Sequence, residues 1–168
     1  WNCDRMEESE GFDRALPNDA LAGFSSRNRT VLKPYGTWAV IAPFNFPYAL
    51  SGGPLGAALV AGNTAVFKTA SDTAWSGTLL MQAFEDAGLP AGVLNHVTGP
   101  GATVGEALAR HPDLAGITFT GSHEVGMAIT RQFGGGRWPR PCIAEMGGKN
   151  AAIVSGGADL ERAATGIV

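Results

Sequence analysis

Residues 38–44, Trp38-Ala39-Val40-Ile41-Ala42-Pro43-Phe44, form a near-continuous apolar run without a charge. A strand with one wet face alternates in polarity. An unbroken run marks a strand covered on both faces, as in a parallel sheet between two layers of helices. After Pro47 a small-residue-rich, helix-like stretch continues to Ala61 and closes on Gly62-Asn63, residues suited to the left-handed turn that ends a helix. Thr64 to Phe67 is a second apolar strand. Strand, helix and strand at this spacing make a βαβ unit.

The alternation continues outward. Asp72-Thr73 is expected to cap a helix to about Ala87, with Gly88 after its end. Val93 to Thr98 is a third strand, followed by Gly99 to Thr103 and a helix from about Val104 to Arg110. Ile117 to Thr120 is a fourth strand, and Ser122 caps a helix through about Gln132. A glycine-rich connection, Gly134 to Gly136, leads past Trp138 and Pro141 to Ile143-Ala144-Glu145; Ala151 to Val154 reads as another strand, and Asp159 as the cap of a final helix. Upstream, Pro34-Tyr35-Gly36 is a turn, Thr30 to Lys33 is extended, residues 12–30 are a loop and residues 1–11 are compatible with the end of a helix. The fold class is therefore α/β, a parallel sheet of βαβ units of Rossmann-like type. Residues 37–168 form its domain and residues 1–36 a preceding segment of helix, loop and extended chain.

Composition narrows the function. The chain has 168 residues, 45% hydrophobic and 16% charged, with a formal net charge of -3. That is a packed globular chain, and no basic stripe exists to neutralise nucleic-acid phosphates. Its 24 glycines, about twice the usual frequency, fall singly between apolar runs and suggest tight turns and close backbone approaches. Cys3 and Cys142 are too few and too far apart for a disulfide framework or a zinc site, and no metal site is expected. No apolar run is long enough to span a membrane, and the first residues are not a signal peptide, so the expected location is the cytoplasm. The chain opens at Trp1 without an initiating methionine and closes mid-pattern at Val168, which gives the expectation of a fragment.

Ligands of open parallel sheets bind at the carboxyl ends of the strands. The segments there are Phe44-Asn45-Phe46-Pro47, Lys68-Thr69-Ala70-Ser71, Gly99-Pro100-Gly101, Thr120-Gly121-Ser122 and Glu145-Met146-Gly147-Gly148-Lys149. Each has two readings on the residues alone. Thr120-Gly121-Ser122 opening a helix suits a phosphate, with Gly121 leaving room for it, or is an ordinary serine cap. Gly99-x-Gly101 is a dinucleotide loop of unusual spacing or a plain turn. Lys68 is a ligand group or a solvated strand end, Glu145 a base or the partner of Lys149, and Asn45 a donor or a turn residue. His96, His111 and His123 have no partner at ligand spacing and carry no assigned chemistry.

From about Leu32 to Val168 the chain resembles the aldehyde dehydrogenase superfamily. The resemblance is carried by Ile41-Ala-Pro-Phe-Asn-Phe-Pro47, Ala61-Gly-Asn-Thr-Ala-Val-Phe-Lys68, Ala87-Gly-Leu-Pro90, Phe119-Thr-Gly-Ser122 and Glu145-Met-Gly-Gly-Lys149, in the family's order and spacing. Pro43-Phe-Asn-Phe46, Lys68-x-x-Ser71-Asp72 and Ala144-Glu-Met-Gly-Gly-Lys-Asn150 look most like the 1-pyrroline-5-carboxylate (glutamate semialdehyde) dehydrogenases.

The resemblance implies NAD(P)-dependent oxidation of an aldehyde to a carboxylate through a thioacyl-enzyme, with NAD as cofactor and NADP admitted. It implies a small-molecule aldehyde substrate and a homodimeric or tetrameric parent enzyme. Asn45 is then the oxyanion donor and Glu145 the base that activates the deacylating water. Lys68 binds the adenine ribose and Ser122 the pyrophosphate. Gly101 and Gly105 let the backbone approach the adenosine half, while Phe119, Gly121, Val125, Met146 and Gly147 line the nicotinamide and phosphate path. Ile41 and Phe44 belong to the same cofactor-binding set. The family's nucleophilic cysteine falls beyond the chain, so the fragment itself is expected to be inactive. Cys142, three residues before Glu145 on an expected strand, faces away from it. Ser71 stands where many members carry a glutamate that holds both ribose hydroxyls. Two rival readings are a non-catalytic dinucleotide-binding or partner chain and a CoA-acylating relative; Glu145 counts against the latter.

Overall fold

The structure, a computed structural model, describes residues 8, 13–19, 22–136 and 138–167. Apart from Glu8, the segment expected to end a helix over residues 1–11, and Cys3 with it, lies outside the described residues.

The apolar run is strand β3 (Thr37–Ile41), and it lies at the centre of the sheet. Helix α1 (Ala49–Val60) leads to β4 (Thr64–Lys68), and α2 (Ala74–Asp86) to β5 (Leu94–Val97). A π-helical turn (Gly101–Gly105) runs into α3 (Glu106–Arg110), then β6 (Gly116–Thr120), α4 (His123–Gly134) and β7 (Cys142–Glu145). The strand order is β5-β4-β3-β6-β7, and every neighbouring pair is parallel. The chain moves outward from β3 to β5, then returns to place β6 on the other flank of β3. The strand order thus reverses between β3 and β6.

Period-two alternation sorts the strands between two cores. Ala39, Ile41, Ile117 and Phe119 pack with Ala109, Ile129 and Phe133 under α3 and α4. Val40, Ala42, Ala65 and Phe67 pack with Leu55 and Leu94 under α1 and α2. Gly62 and Gly88 have φ of 81° and 85°; each reverses the chain after a helix in a conformation that a β-carbon disfavours. Asn63 then holds the turn before β3, its side-chain oxygen accepting from the N–H groups of Tyr35 at 2.6 Å and Gly36 at 3.0 Å.

Three local readings differ. Within the expected loop 12–30, β1 (Asp13–Ala15) pairs antiparallel with β2 (Arg29–Val31). All residues of this ladder are exposed, so no apolar pattern signals it; an Arg29–Asp13 ion pair clasps it. The helix expected from Asp72-Thr73 starts with a short 3-10 turn (Ser71–Thr73), and neither side chain caps it. Ala151 to Val154 joins no ladder, with Ile153 94% exposed: a strand exists only where its peptide groups find a partner. The final helix α5 (Leu160–Ile167) is capped as expected, Asp159 accepting from the N–H groups of Glu161 and Arg162 at 3.1 Å each.

Candidate functional site

A cavity of about 1030 Å³ opens at the carboxyl edge of the sheet, over the strand-order reversal. The parallel register explains what lines it. Ile41 stands opposite Lys68 on one side and Phe119 on the other, Phe119 opposite Ala144, and Thr120 opposite Glu145. The last residues of four strands thus form one row, and the loops after them wall the cavity.

From the β3 edge come Ile41, Phe44 and Asn45. Phe46 next to Asn45 has φ 48°, a left-handed conformation that is costly for a bulky residue. It turns the chain sharply, so that its carbonyl accepts the first bond into α1, from Leu50 N–H at 3.0 Å. Among the described residues the Asn45 amide has no hydrogen-bond partner.

From β4 come Lys68 and Ser71. Lys68 is only 4% exposed, which removes the reading of a solvated strand end. Its ammonium donates to the Thr69 carbonyl at 2.9 Å, and burial pushes its pKa below the usual lysine value. Ser71 donates to the Gly99 carbonyl at 3.4 Å and ties two loops of the wall together. Gly101 and Gly105 line the same wall. A β-carbon at Gly101 would meet nothing within 4 Å, and one at Gly105 only Lys68 Cε at 3.9 Å, so both leave open backbone.

From β6 come Phe119, Gly121, Ser122 and Val125. The Ser122 hydroxyl accepts from Val125 N–H at 3.4 Å, so it is a helix cap whose helix also starts at the cavity. Gly121 has a different reason from the one read in sequence. A β-carbon there would meet Phe119 Cζ at 2.6 Å; the space beside Gly121 belongs to the phenyl ring, and its N–H donates to the Glu145 carbonyl at 3.1 Å. Gly126, which sequence reasoning passed over, does the same for Met146, whose sulfur would lie 2.6 Å from a β-carbon there. Its signal was an unexplained glycine inside a helix.

From β7 come Glu145, Met146 and Gly147. Among the described residues Glu145 and Lys149 form no ion pair. Cys142 and Ala144 pack on the α4 side of the sheet, and Cys142 Sγ lies 3.6 Å from Thr130 Oγ1. Glu145, three residues on, is on the other face. The cavity also runs down a groove between α3 and α4, past Ala109, Ala128 and Gln132. Sequence reading did not single these out; small residues one turn apart, Gly105 and Ala109, were the available signal.

Among the described residues no group of three His, Cys, Asp or Glu side chains is arranged to hold a metal, and no helix is long and apolar enough to cross a membrane.

The aldehyde dehydrogenase family model matches residues 3–168. The 1-pyrroline-5-carboxylate dehydrogenase of Geobacillus thermodenitrificans (strain NG80-2) is 47% identical over 145 residues, 84% of this chain and 28% of that protein. Among solved structures, proline utilization A (PutA) from Bdellovibrio bacteriovorus, inactivated by N-propargylglycine, superposes with a TM-score of 0.83 at 39% identity, over 99% of this chain and 17% of that one. An NAD-dependent benzaldehyde dehydrogenase from Corynebacterium glutamicum gives 0.81 at 33% identity, over 98% of this chain and 34% of that one. The chain therefore spans 28% of the length of the curated relative it matches. With a family match over nearly its whole length, the chain belongs to the aldehyde dehydrogenase family.

Proposed function

We propose that residues 37–168 are the dinucleotide-binding domain of an NAD(P)-dependent dehydrogenase that oxidises glutamate semialdehyde to glutamate, with residues 1–36 a preceding segment. The observation that carries this reading is the convergence of Asn45, Lys68, Ser122 and Glu145 on one cavity at the strand-order reversal, where open parallel sheets bind dinucleotides. The likeness to a 1-pyrroline-5-carboxylate dehydrogenase supports the substrate, and the likeness to an NAD-dependent enzyme supports the cofactor. The parent enzyme is a homodimer or homotetramer in this reading.

The residues present fit a long anionic ligand with two sugars. Gly101 and Gly147 have nothing within 4 Å of where a side chain would begin, so a ligand can lie against bare backbone. Lys68 gives one proton to Thr69 and keeps two for ribose hydroxyls. The start of α4 offers unpaired N–H groups and partial positive charge to a pyrophosphate. Bound here, the nicotinamide supplies the hydride acceptor. Asn45 donates its free amide to the oxyanion formed when an enzyme thiol adds to the aldehyde, a contact worth about 3–4 kcal/mol in comparable sites. Glu145 takes the proton of the water that releases the acyl group. Cys142 is not read as the thiol, since it packs against α4 at the start of β7, three residues back from the strand end and on the face opposite Glu145.

The test is product analysis with the full-length enzyme. Glutamate semialdehyde and NAD should give glutamate and reduced cofactor in equal amounts, without added CoA. A strict requirement for CoA would reassign the acyl acceptor, a much higher kcat/KM for benzaldehyde would overturn the substrate, and absence of reduced cofactor with every aldehyde would overturn the reading.

A further inference from the structure

Behind Lys68, on the far side of the sheet from the cavity, lies a buried polar contact that the proposed reaction does not use. Thr69 is 2% exposed, and its hydroxyl lies 3.2 Å from Nε2 of His96 on the neighbouring strand. The His96 ring packs on Phe67, its register partner, with ring centres 5.1 Å apart. Helix α2 makes room for the pair with Gly77, where a β-carbon would fall 2.3 Å from Thr69 Cγ2 and 2.6 Å from His96 Nε2. Burial lowers the His96 pKa, which keeps the ring neutral and avoids a second cation behind the lysine.

Thr69 is the hinge of this arrangement. Its carbonyl holds the Lys68 ammonium on the cavity side, while its hydroxyl is held by His96 on the α2 side. Fixing the hydroxyl fixes the Thr69 side-chain rotamer and with it the peptide to which Lys68 is anchored. We propose that Thr69 and His96 are a positioning pair that presets Lys68 for the dinucleotide; the inference rests on the cofactor site proposed above. Neither residue touches the ligand. A lysine held before binding loses less freedom when the ligand arrives, so the pair should act on cofactor affinity and leave the chemical step alone.

The experiment measures KM for NAD, kcat and the dissociation constant for NAD in the full-length enzyme. Thr69→Val, nearly isosteric, and His96→Leu should each raise KM and the dissociation constant about three- to tenfold, the span of one net hydrogen bond, with kcat unchanged. Thr69→Ser and His96→Gln, which keep a hydrogen-bonding group, should restore most of the affinity. If His96→Leu fails to fold, the Thr69→Val and Thr69→Ser comparison decides alone. Unchanged affinity in Thr69→Val, equal losses in Val and Ser, or a fall in kcat matching the rise in KM would each overturn the pairing. Lys68→Met separates the two levels. If it leaves NAD affinity unchanged, the cofactor-site reading fails; if it weakens binding while Thr69→Val does not, only the positioning pair fails.

Discussion

The Arg140 guanidinium lies against the Phe133 ring, its central carbon 3.8 Å from the ring centre. The same group donates to three carbonyls of the α3–β6 connection, those of His111 at 2.8 Å, Leu114 at 3.0 Å and Pro112 at 3.3 Å. One side chain before β7 thus ties the end of α4 to the entry of β6, at the amino edge of the sheet.

Arg140→Ala should therefore lower stability without touching catalysis. Cation–π stacking and carbonyl hydrogen bonds of this kind sum to about 1–3 kcal/mol. Thermal unfolding of the full-length enzyme should show the loss, with kcat/KM unchanged. Arg140→Lys should recover only part of it, because an ammonium lacks the flat face and the fork of donors. A melting temperature equal to that of the parent protein would show that the connection holds itself.

Gly77→Ala puts two effects of opposite sign in one residue. Alanine in place of a helical glycine usually gains about 1 kcal/mol. Here its β-carbon would invade Thr69 and His96, and overpacking costs about 1–3 kcal/mol. Net destabilisation is expected in a denaturant titration. Net stabilisation would mean that α2 shifts outward freely.

Glu145→Gln should separate the two halves of the reaction. The amide cannot take a proton from water, so acyl-enzyme should form and one turnover of reduced cofactor should appear as a burst. Steady turnover should fall by roughly 10²- to 10⁴-fold, the span for losing a positioned base. Rapid-mixing kinetics that show no burst, or steady turnover at the parental rate, would remove Glu145 from that role.

In the proposed reading Ser71 bears on cofactor choice. It lines the cavity wall beside Lys68 and adds no charge there. A glutamate in its place would accept from both ribose hydroxyls and repel a 2′-phosphate; two unit charges about 4 Å apart near a surface interact by roughly 4 kcal/mol before screening. NAD should be preferred with measurable use of NADP. Ser71→Glu should then cut kcat/KM for NADP at least about tenfold, some 1.4 kcal/mol, and leave NAD nearly unchanged. An NADP-to-NAD ratio that does not move would place Ser71 away from the ribose.

What was legible in the sequence was what local pattern encodes. The strand centred on Val40 announced itself by an apolar run, and parallel pairing then required its carboxyl end to face the ligand side. Because strand ends align in such a sheet, naming the residue after each strand was enough to bring Asn45, Lys68, Ser122 and Glu145 to one cavity. The rest depended on pairs distant in sequence. Lys68 reads either as a ligand group or as a solvated strand end, because nothing local reveals that Thr69 and His96 close behind it. The segment from Ala151 to Val154 has strand chemistry but no neighbour to pair with, and the three-residue strand at Asp13 has a neighbour but no apolar pattern. Gly121 was read as room for a ligand, when the space is taken by a ring two residues earlier in the chain.

The placement of Asn63 and Arg140 divides the molecule under mutation. Both knit the amino edge of the sheet through backbone carbonyls and N–H groups, and neither reaches the rim where the ligand is proposed to lie. Selection for heat resistance can therefore work on one rim while selection for a new aldehyde or cofactor works on the other, each nearly blind to the other's gains. Thr69 is the exception. It sits on the ligand rim yet is locked from behind, so a change there is felt as both a loss of order and a loss of affinity. In a library of variants its neighbourhood should be the place where the two selections collide.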